Sequence, residues 1–524
     1  MSSQTRVAKA AGILMIATII SRILGYVRDM IISFSFGQNN LTDAYNAAFS
    51  IPDFLYLIVV GGALSSAFIP VFSSYLSTDE EEEGWKVAST VFNLIVILML
   101  VGIGIGVIFT PQLIKMLVPG FTPENIALTV KMTRIMFIQA FFMALTGITM
   151  GILYSYQNFL APAVSSVVYN LGITIVGILL TPYFKITAYA IGVAAGGILQ
   201  FIIQFSALSK RGLRYKPVLD LQHPGVRKIG SLMLPVLIGL SVNQFNLFIN
   251  QNLGSNLPSG MISALRTAQR VMNLPVGIFA VTIAVASFPT LTNLAARQEK
   301  EEFKKTMSLS LRTILFVAIP SAVGLIALRA PVIRLLFQQG NFTAANTQTT
   351  AYALMFYCLG VFAYSSIQLL NRAFYALQDT RTPMFAGILT IAANYVLNIL
   401  LLKPLQHGGL ALAYSLAGIF SMSVLLAVLK HKLGRIGGRR ILKSFLQTLV
   451  LSLLMGVIAH YTAELVELFI EPVNKPAQFI QVAAAMGAGL LVFMTLALRL
   501  KMEEAEMAKS ILLRKFRRKR QQAD

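Results

Sequence analysis

Charged residues are scarce in this chain of 524 residues: they make up 12% of it, against about 25% in an ordinary soluble domain. Hydrophobic residues make up 56%, and the mean hydropathy is +0.71. So few charges cannot cover a soluble surface, and the composition therefore indicates a polytopic membrane protein. The single cysteine, Cys358, excludes a disulfide framework and a cysteine-based metal cluster.

Acidic residues are also few, 21 against 43 Lys and Arg, which gives a net charge of +22. A strongly basic chain often binds nucleic acid, but the apolar content argues against that as the main function here. No Walker A motif occurs, and no nucleophile lies at a useful spacing from a base or a set of metal ligands. We therefore expect no enzyme activity, no cofactor, no bound metal and no nucleic-acid partner.

Long apolar runs are abundant, and each can cross the roughly 30 Å of membrane hydrocarbon when helical. Fourteen are predicted, at about 11–36, 44–74, 88–109, 134–155, 162–181, 187–208, 229–252, 262–291, 307–328, 350–375, 384–402, 408–429, 441–461 and 478–499. An even number of spans places both termini on one side of the membrane. Most Lys and Arg residues lie on that side, in clusters at 210–228, 430–443 and 514–520, so it is predicted to be cytoplasmic. We expect the acidic run at 79–83 to be a solvated loop there.

The chain contains an internal repeat. YSYQNFLAP at 154–162 is matched by YALQDTRTP at 375–383, and the same offset of 221 residues carries Gly197 onto Gly418. The repeat predicts an all-α fold with an N-lobe of six helices (1–228), a C-lobe of six helices (229–436), two further helices (437–500) and a basic cytoplasmic tail (501–524). Lobes of six spans have the same orientation, which is the parallel-repeat architecture of transporters that bind substrate between their halves.

Charges inside the spans need an explanation, because a charge at the bilayer centre costs roughly 2.5–3.5 kcal/mol. Four of them are difficult to dismiss as structural: Arg22 and Arg28 in helix 1 and Arg266 and Arg270 in helix 8. Guanidinium groups bind phosphate oxygens in pairs, so these arginines predict an anionic substrate such as a pyrophosphate. Carboxylates close to them in the sequence complete the predicted substrate site: Asp29, Asp43 and Asp53. The alternative is that the arginines pair with these aspartates as struts between helices.

The predicted spans contain three other sets of notable residues. Arg134, Arg312 and Arg372 lie near span ends, and we expect no functional role for them. We predict hinges where a helix is interrupted or weakened, at Gly25, Pro52 and Pro275. Amide side chains one turn apart in helices 7 and 11 predict either a cation site or hydrogen bonds between helices: Asn246, Asn250, Asn394 and Asn398.

Several motifs together resemble the MurJ (MviN) family of lipid II flippases. They are SRILGYVRD at 21–29, FG at 36–37, TDA at 42–44, IP at 51–52, GALS at 62–65, FIP at 68–70, RVMNLP at 270–275, LFQQGNFT at 336–343 and QDTRTP at 378–383. The resemblance runs in register from about residue 8 to about residue 430.

This resemblance implies a fold of the MOP superfamily: two six-helix lobes, two extra helices that form a lipid groove, and alternating access. It also implies that Arg22, Arg28 and Arg270 line the cavity and contact the headgroup. The chain departs from some relatives, which carry Arg and Glu where it has Tyr56 and Gly61, and Asp where it has Gln269. We therefore expect Arg266 to supply part of the cavity charge. Asn250 and Asn398 replace carboxylates that some relatives offer to sodium.

The function implied is the transfer of lipid II, a peptidoglycan precursor on undecaprenyl pyrophosphate, from the cytoplasmic to the outer leaflet of a bacterial cytoplasmic membrane. A flippase for an O-antigen or teichoic-acid precursor suits the same charges. A multidrug cation exporter shares the architecture but needs an acidic cavity. Expected partners are the lipid substrate, the bilayer and cell-wall synthesis proteins, and the chain is expected to be a monomer. Energy would come from Na⁺ or H⁺ coupling or from the membrane potential.

Overall fold

The computed structural model describes residues 3–60 and 67–510; for 3–15 and 234–243 it describes the backbone only. Over these residues the chain forms α-helices, a π-helical turn at Val276–Ala280 and π-helical residues at 67–68, without any β-strand. This all-α structure is what a bilayer requires, because each helix satisfies its own backbone hydrogen bonds where water is absent. The fold class predicted from the sequence is confirmed.

The helices group into two compact units, Met1–Ser263 and Ala264–Asp524. The first unit holds α1 (Ser3–Phe36), α2 (Asn40–Ala48), α3 (Ser50–Val59), α4 (Ile69–Ser77), α5 (Glu81–Leu117), α6 (Pro123–Ser155), α7 (Leu160–Phe184), α8 (Thr187–Ser209) and α9 (Pro224–Gly254). The chain continues through α10 (Met261–Pro275), which begins at the end of the first unit. The second unit continues with a π-helical turn (Val276–Ala280), α11 (Val281–Ala296), α12 (Lys300–Ala327), α13 (Arg329–Phe337), α14 (Ala344–Cys358), α15 (Val361–Ala376), α16 (Arg381–Leu405), α17 (His407–Leu433), α18 (Gly438–Phe469) and α19 (Lys475–Arg499). The lobe boundaries predicted at 228, 436 and 500 stay predictions.

Close packing inside the first unit depends on small residues. At Gly192 of α8, an added Cβ atom would come within 2.6 Å of the Ile173 carbonyl oxygen of α7. Helices in a membrane have no hydrophobic drive to associate, so they approach closely through such small residues. Large apolar side chains face outward instead: Ile108 of α5 is 67% exposed and Leu179 of α7 is 65% exposed. These outward faces suit contact with lipid.

Ten of the described helices, counting α10, the π-turn and α11 together, are long and apolar enough to cross a membrane. The number is eleven if α14 and α15, which are bent by 47° relative to each other, form one span. Every one of the fourteen predicted spans coincides with helix in the described ranges, but the count of fourteen stays a prediction. The predicted second span corresponds to α2, α3 and α4, and its residues 61–66 lie outside the described part.

One expectation about the side predicted to be cytoplasmic is wrong in part. In the acidic run at 79–83, Asp79 and Glu80 precede α5 and are exposed, but the three glutamates at 81–83 form the first turn of α5 and are not a loop. The physical reason is that carboxylates are favourable at a helix N-terminus, where the backbone N–H groups point outward and carry partial positive charge. The basic cluster at 514–520 lies outside the described residues.

Candidate functional site

Arg28 of α1 is held by two neighbouring side chains. Its guanidinium donates through Nε and Nη2 to Asp29 Oδ1, at 3.2 and 3.1 Å, and through Nη1 to Asn170 Oδ1 at 3.2 Å. The side chains of Arg28 and Asp29 are each only 15% exposed. The pair therefore places a guanidinium inside the helical bundle with its orientation set by two neighbours.

Asn170 connects α1 to α7 and was not predicted as a site residue. Its Nδ2 donates to the hydroxyl and carbonyl oxygens of Ser21, at 3.1 and 3.3 Å, and to the Ser166 carbonyl at 3.2 Å. The Ser21 hydroxyl also donates to the Ser166 carbonyl at 3.1 Å. A buried amide in the middle of an apolar helix was the available signal, because such polar groups bond across helices in a membrane.

The other predicted residues of helices 1 and 2 are in different surroundings. Asp53 and Arg28 both act electrostatically on Tyr169 of α7, so Asp53 lies near the Arg28 cluster. Arg22 is exposed and follows the outward-facing Ile19 and Ile20, which are 52% and 43% exposed. The structure therefore places Arg28 inside the unit and Arg22 at its surface.

The three predicted hinge residues are not alike in the structure. α1 runs as one helix through Gly25, whose added Cβ would only touch Asn170 Oδ1 at 3.5 Å. Pro52 lies in the first turn of α3, just after the break at Phe49, where a missing N–H costs little. Pro275 ends α10 and is followed directly by the π-helical turn. A π-turn inside a membrane helix is often found at functional sites.

Arg266 and Arg270 lie in the second unit, one turn apart on α10, and both are partly buried and engaged in interactions. Between them in sequence, Gln269 hydrogen-bonds the side chain of Tyr414. Tyr414 stacks on Tyr364 with ring centroids 4.4 Å apart and 17° between the planes. The face of α10 that carries these arginines is thus bordered by tyrosines of α15 and α17.

The four amides of the predicted cation site are buried to different degrees. Asn394 and Asn398 of α16 are fully buried, and Asn398 Nδ2 donates to Asn394 Oδ1 at 2.9 Å. Asn246 and Asn250 lie on α9 and are partly buried. Among the residues that the structure describes, no group of His, Cys, Asp or Glu could hold a metal ion. The amide cation site stays a prediction.

Asp43 has a different environment from the other predicted carboxylates. It is 3% exposed and accepts three hydrogen bonds, from Gly260 N–H at 2.6 Å, Ser263 N–H at 2.8 Å and the Ser263 hydroxyl at 2.6 Å. Gly260 has φ +86°, and its Cα approaches the chain at Gln38 so closely that a Cβ atom would meet the Gln38 carbonyl at 2.7 Å. Asp43 therefore caps the start of α10 from α2. Burial raises the pKa of its carboxyl group to about 6.

Arg312, for which no role was expected, ties three segments of the second unit together. Its Nη1 and Nη2 donate to Glu504 and Glu503, each at 2.8 Å, and Glu504 accepts a bond from Ser444 of α18 at 3.0 Å. Glu504 is only 3% exposed. By contrast, Arg134 is exposed and donates to the Val107 carbonyl.

A comparison with known families matches residues 32–473 to the family described as Lipid II flippase MurJ. A probable lipid II flippase MurJ from Buchnera aphidicola subsp. Acyrthosiphon pisum is 33% identical over 451 residues, which are 84% of this chain and 88% of that relative. The lipid II flippase MurJ of Burkholderia cenocepacia is 28% identical over 487 residues, 91% of this chain and 94% of that relative.

Two solved structures are also similar to this chain. A lipid II flippase MurJ in an inward closed conformation matches with a TM-score of 0.77 and 29% identity, over 93% of this chain and 99% of that one. An inward-facing MATE multidrug resistance transporter of the MOP superfamily matches with a TM-score of 0.64 over 81% of this chain and 98% of that one. At 15% identity, the second match shows the fold alone.

Proposed function

The chain belongs to the lipid II flippase MurJ family, and on that premise we propose that it carries lipid II from the cytoplasmic to the outer leaflet of a bacterial cytoplasmic membrane. Lipid II is a peptidoglycan precursor whose sugar–peptide headgroup is joined to a polyprenyl chain through pyrophosphate. Its transfer needs a protein that shelters a large, anionic headgroup from hydrocarbon. The function is therefore transport without a chemical step.

The observation that carries the mechanism is the state of Arg28. A guanidinium group has five N–H donors, and three of those in Arg28 are engaged by Asp29 and Asn170. Among the described residues Arg28 makes no other hydrogen bond, so its remaining N–H groups can donate to a phosphate oxygen, and the side chain is already oriented. A cation held in this way inside a membrane bundle is preorganised for an anionic ligand.

We assign the second contact to Arg270, with Arg266 one turn before it on α10. A guanidinium group at this position suits a phosphate oxygen of the pyrophosphate. Alternating access would then expose this site first to the cytoplasm and then to the outside, with bending at Pro275 and the π-turn that follows it. The tyrosines beside α10 provide surfaces for the sugars of the headgroup.

The membrane potential is a suitable energy source for the return step. Moving one charge through 100 mV is worth about 2.3 kcal/mol, and an empty cavity carrying arginines would be drawn toward a negative cytoplasm. Amides at Asn250 and Asn398 bind Na⁺ more weakly than carboxylates would. We propose that transport depends on the potential and not on a sodium gradient.

The test is rescue of a bacterium depleted of its own lipid II flippase. The wild type should restore growth and outer-leaflet lipid II, whereas Arg28→Ala and Arg270→Ala should fail at equal expression. Arg134→Ala is the matched control, because this exposed arginine contacts only a backbone carbonyl among the described residues, and it should rescue fully.

Rescue by both cavity variants would contradict the pyrophosphate contacts. Failure of the wild type, in a host where a known lipid II flippase rescues, would count against lipid II as the substrate. Dissipating only the membrane potential should stop transport, whereas replacing Na⁺ by K⁺ should not. The opposite pattern would overturn the proposed energy source.

A further inference from the structure

The first unit contains a cavity of about 330 Å³ between the ends of α5, α6 and α8 that are predicted to be cytoplasmic. Its walls are mostly apolar and include Trp85, Phe92, Ile152, Leu208 and Leu213. None of the residues assigned to lipid II transport lines it. The cavity therefore needs its own explanation.

The polar groups on its wall already have partners within the protein. The Thr149 hydroxyl donates to a carbonyl of its own helix at 2.8 Å, and the Ser89 hydroxyl accepts a backbone N–H at 3.0 Å. The Trp85 indole donates to Tyr156 at 3.1 Å, and the Tyr215 hydroxyl donates to an amide of α5 at 2.8 Å. Water needs two to four polar partners to occupy a buried site. This wall therefore favours an apolar occupant.

One side of the cavity is lined by an irregular segment, the strap, which comprises residues 213–220 between α8 and α9. The strap is fastened to α5 by polar contacts. Asn93 Nδ2 donates to the Val218 carbonyl at 2.9 Å, and Lys216 forms a salt bridge with Glu82 at 2.6 Å. The cavity is thus part of the folded unit and not a gap beneath a detached loop.

The mouth of the cavity combines aromatic and basic side chains. Phe205 and Tyr215 line it and are 40% and 47% exposed. Lys210, Arg211 and Arg214 are exposed in the turn and strap between them. Within the residues described by the structure, none of these three cations forms a salt bridge.

Acidic side chains nearby are engaged by the protein itself. Glu82 pairs with Lys216, and Glu83 pairs at 2.5 Å with the lysine one turn along α5. Glu81, on which Arg214 acts electrostatically, accepts a hydrogen bond from Tyr156 at 2.5 Å. The cations at the mouth therefore remain available to an external anion.

We propose that this cavity binds one acyl chain of an anionic membrane phospholipid, whose phosphate is held by Lys210, Arg211 and Arg214. Basic pockets between membrane helices on the cytoplasmic side are suited to anionic headgroups. The apolar cavity behind the mouth holds the acyl chain. The site is separate from the arginines assigned to lipid II and does not depend on the proposed transport function.

The protein contains a natural fluorescent probe for this site. Trp85 is the only tryptophan in the sequence, it lines the cavity, and it is 2% exposed. Phospholipids with brominated acyl chains quench tryptophan on contact. In vesicles of phosphatidylcholine, brominated phosphatidylglycerol should quench Trp85 at low mole fraction and reach saturation, whereas brominated phosphatidylcholine at that mole fraction should not.

Two variants separate the headgroup from the acyl chain. The double variant with Arg211→Gln and Arg214→Gln should raise the mole fraction of brominated phosphatidylglycerol needed for half-maximal quenching by about fivefold for each charge removed. Arg439→Gln, in another basic cluster, should not change it. Ala88→Leu should fill part of the cavity and reduce the maximum quenching. Equal quenching by both lipids, or no quenching, would overturn the proposal. If undecaprenyl pyrophosphate, added in an amount equal to the brominated phosphatidylglycerol, relieved the quenching, the site would be assigned to the transported lipid instead.

Discussion

Asn170 is a single amide that holds Arg28 of α1 and the backbone of α7 at the same time. We expect Asn170→Leu to destabilise the protein by about 1–3 kcal/mol, because the hydroxyl and carbonyl oxygens of Ser21 lose a donor and one guanidinium N–H loses its acceptor. Arg28 would also lose its fixed orientation, so rescue of a flippase-depleted strain should be reduced. Thermal unfolding in detergent and the rescue assay measure the two effects.

The control for this change lies one turn further along α7. Thr174 bonds only to the Asn170 carbonyl of its own helix among the described residues, so Thr174→Val should leave stability and rescue nearly unchanged. If Asn170→Leu matched this control in both assays, the cluster around Arg28 would have no role in orienting it.

Asp43 predicts a pH dependence of stability. Its ordinary pKa of 3.8 is raised to about 6 in the folded chain, so between these values the folded state holds a proton that the unfolded state has released. The carboxyl group thus contributes stability that is fully present below about pH 4 and is lost as the pH rises through about 6. The total change is roughly 3 kcal/mol.

This contribution is measured as a difference between variants. The thermal midpoint of the wild type, relative to that of Asp43→Asn, should fall between about pH 5 and pH 7.5. Asp79→Asn, at an exposed carboxylate, provides the control and should follow the wild type. Parallel curves for the wild type and Asp43→Asn would show that this carboxyl group does not titrate between the two pH values.

At the scale of the secondary-structure elements, the break after α10 is the feature most directly tied to movement. Pro275 lacks an N–H group, and the π-turn at Val276–Ala280 lets the helix continue into α11. We expect Pro275→Ala to restore regular α-helix there. Because proline costs up to about 3 kcal/mol inside a helix, the variant should unfold at a higher temperature and transport lipid II more slowly.

Pro289 lies inside α11 of the same span and has no π-turn after it. Pro289→Ala is therefore the matched control and should retain transport. Normal rescue by Pro275→Ala together with a raised unfolding temperature would contradict a hinge at this position.

At the scale of the whole molecule, the distribution of Lys and Arg predicts the orientation. The natural cysteine, Cys358, is buried, so cysteines introduced at exposed sites can be labelled without removing it. In intact cells, a membrane-impermeant thiol reagent should label Val473→Cys, between the last two helices, and should not label Lys210→Cys or Arg439→Cys. Labelling of Lys210→Cys and Arg439→Cys without labelling of Val473→Cys would show that the topology is opposite to the predicted one.

Composition and spacing were enough to predict an all-α membrane protein and to identify Arg28 and Arg270 as candidates, and the motifs that resemble the MurJ family predicted the family. These properties follow from local chemistry, since the lengths of the apolar runs, the positions of the basic clusters and the order of the motifs can be read directly from the sequence. A charge inside an apolar run is also visible without coordinates, because charges in membrane spans are costly and therefore rare.

The partners of these residues came from three-dimensional contacts. Asn170 lies 142 positions from Arg28, and Ser263 lies 220 positions from Asp43, separations across which sequence periodicity carries no information. Nothing in the sequence near Asp43 predicted that it accepts hydrogen bonds at the start of α10, and its place in the substrate site stays a prediction. Burial and long-range packing fix which polar groups meet, and they separate Arg28 inside the bundle from Arg22 at its surface.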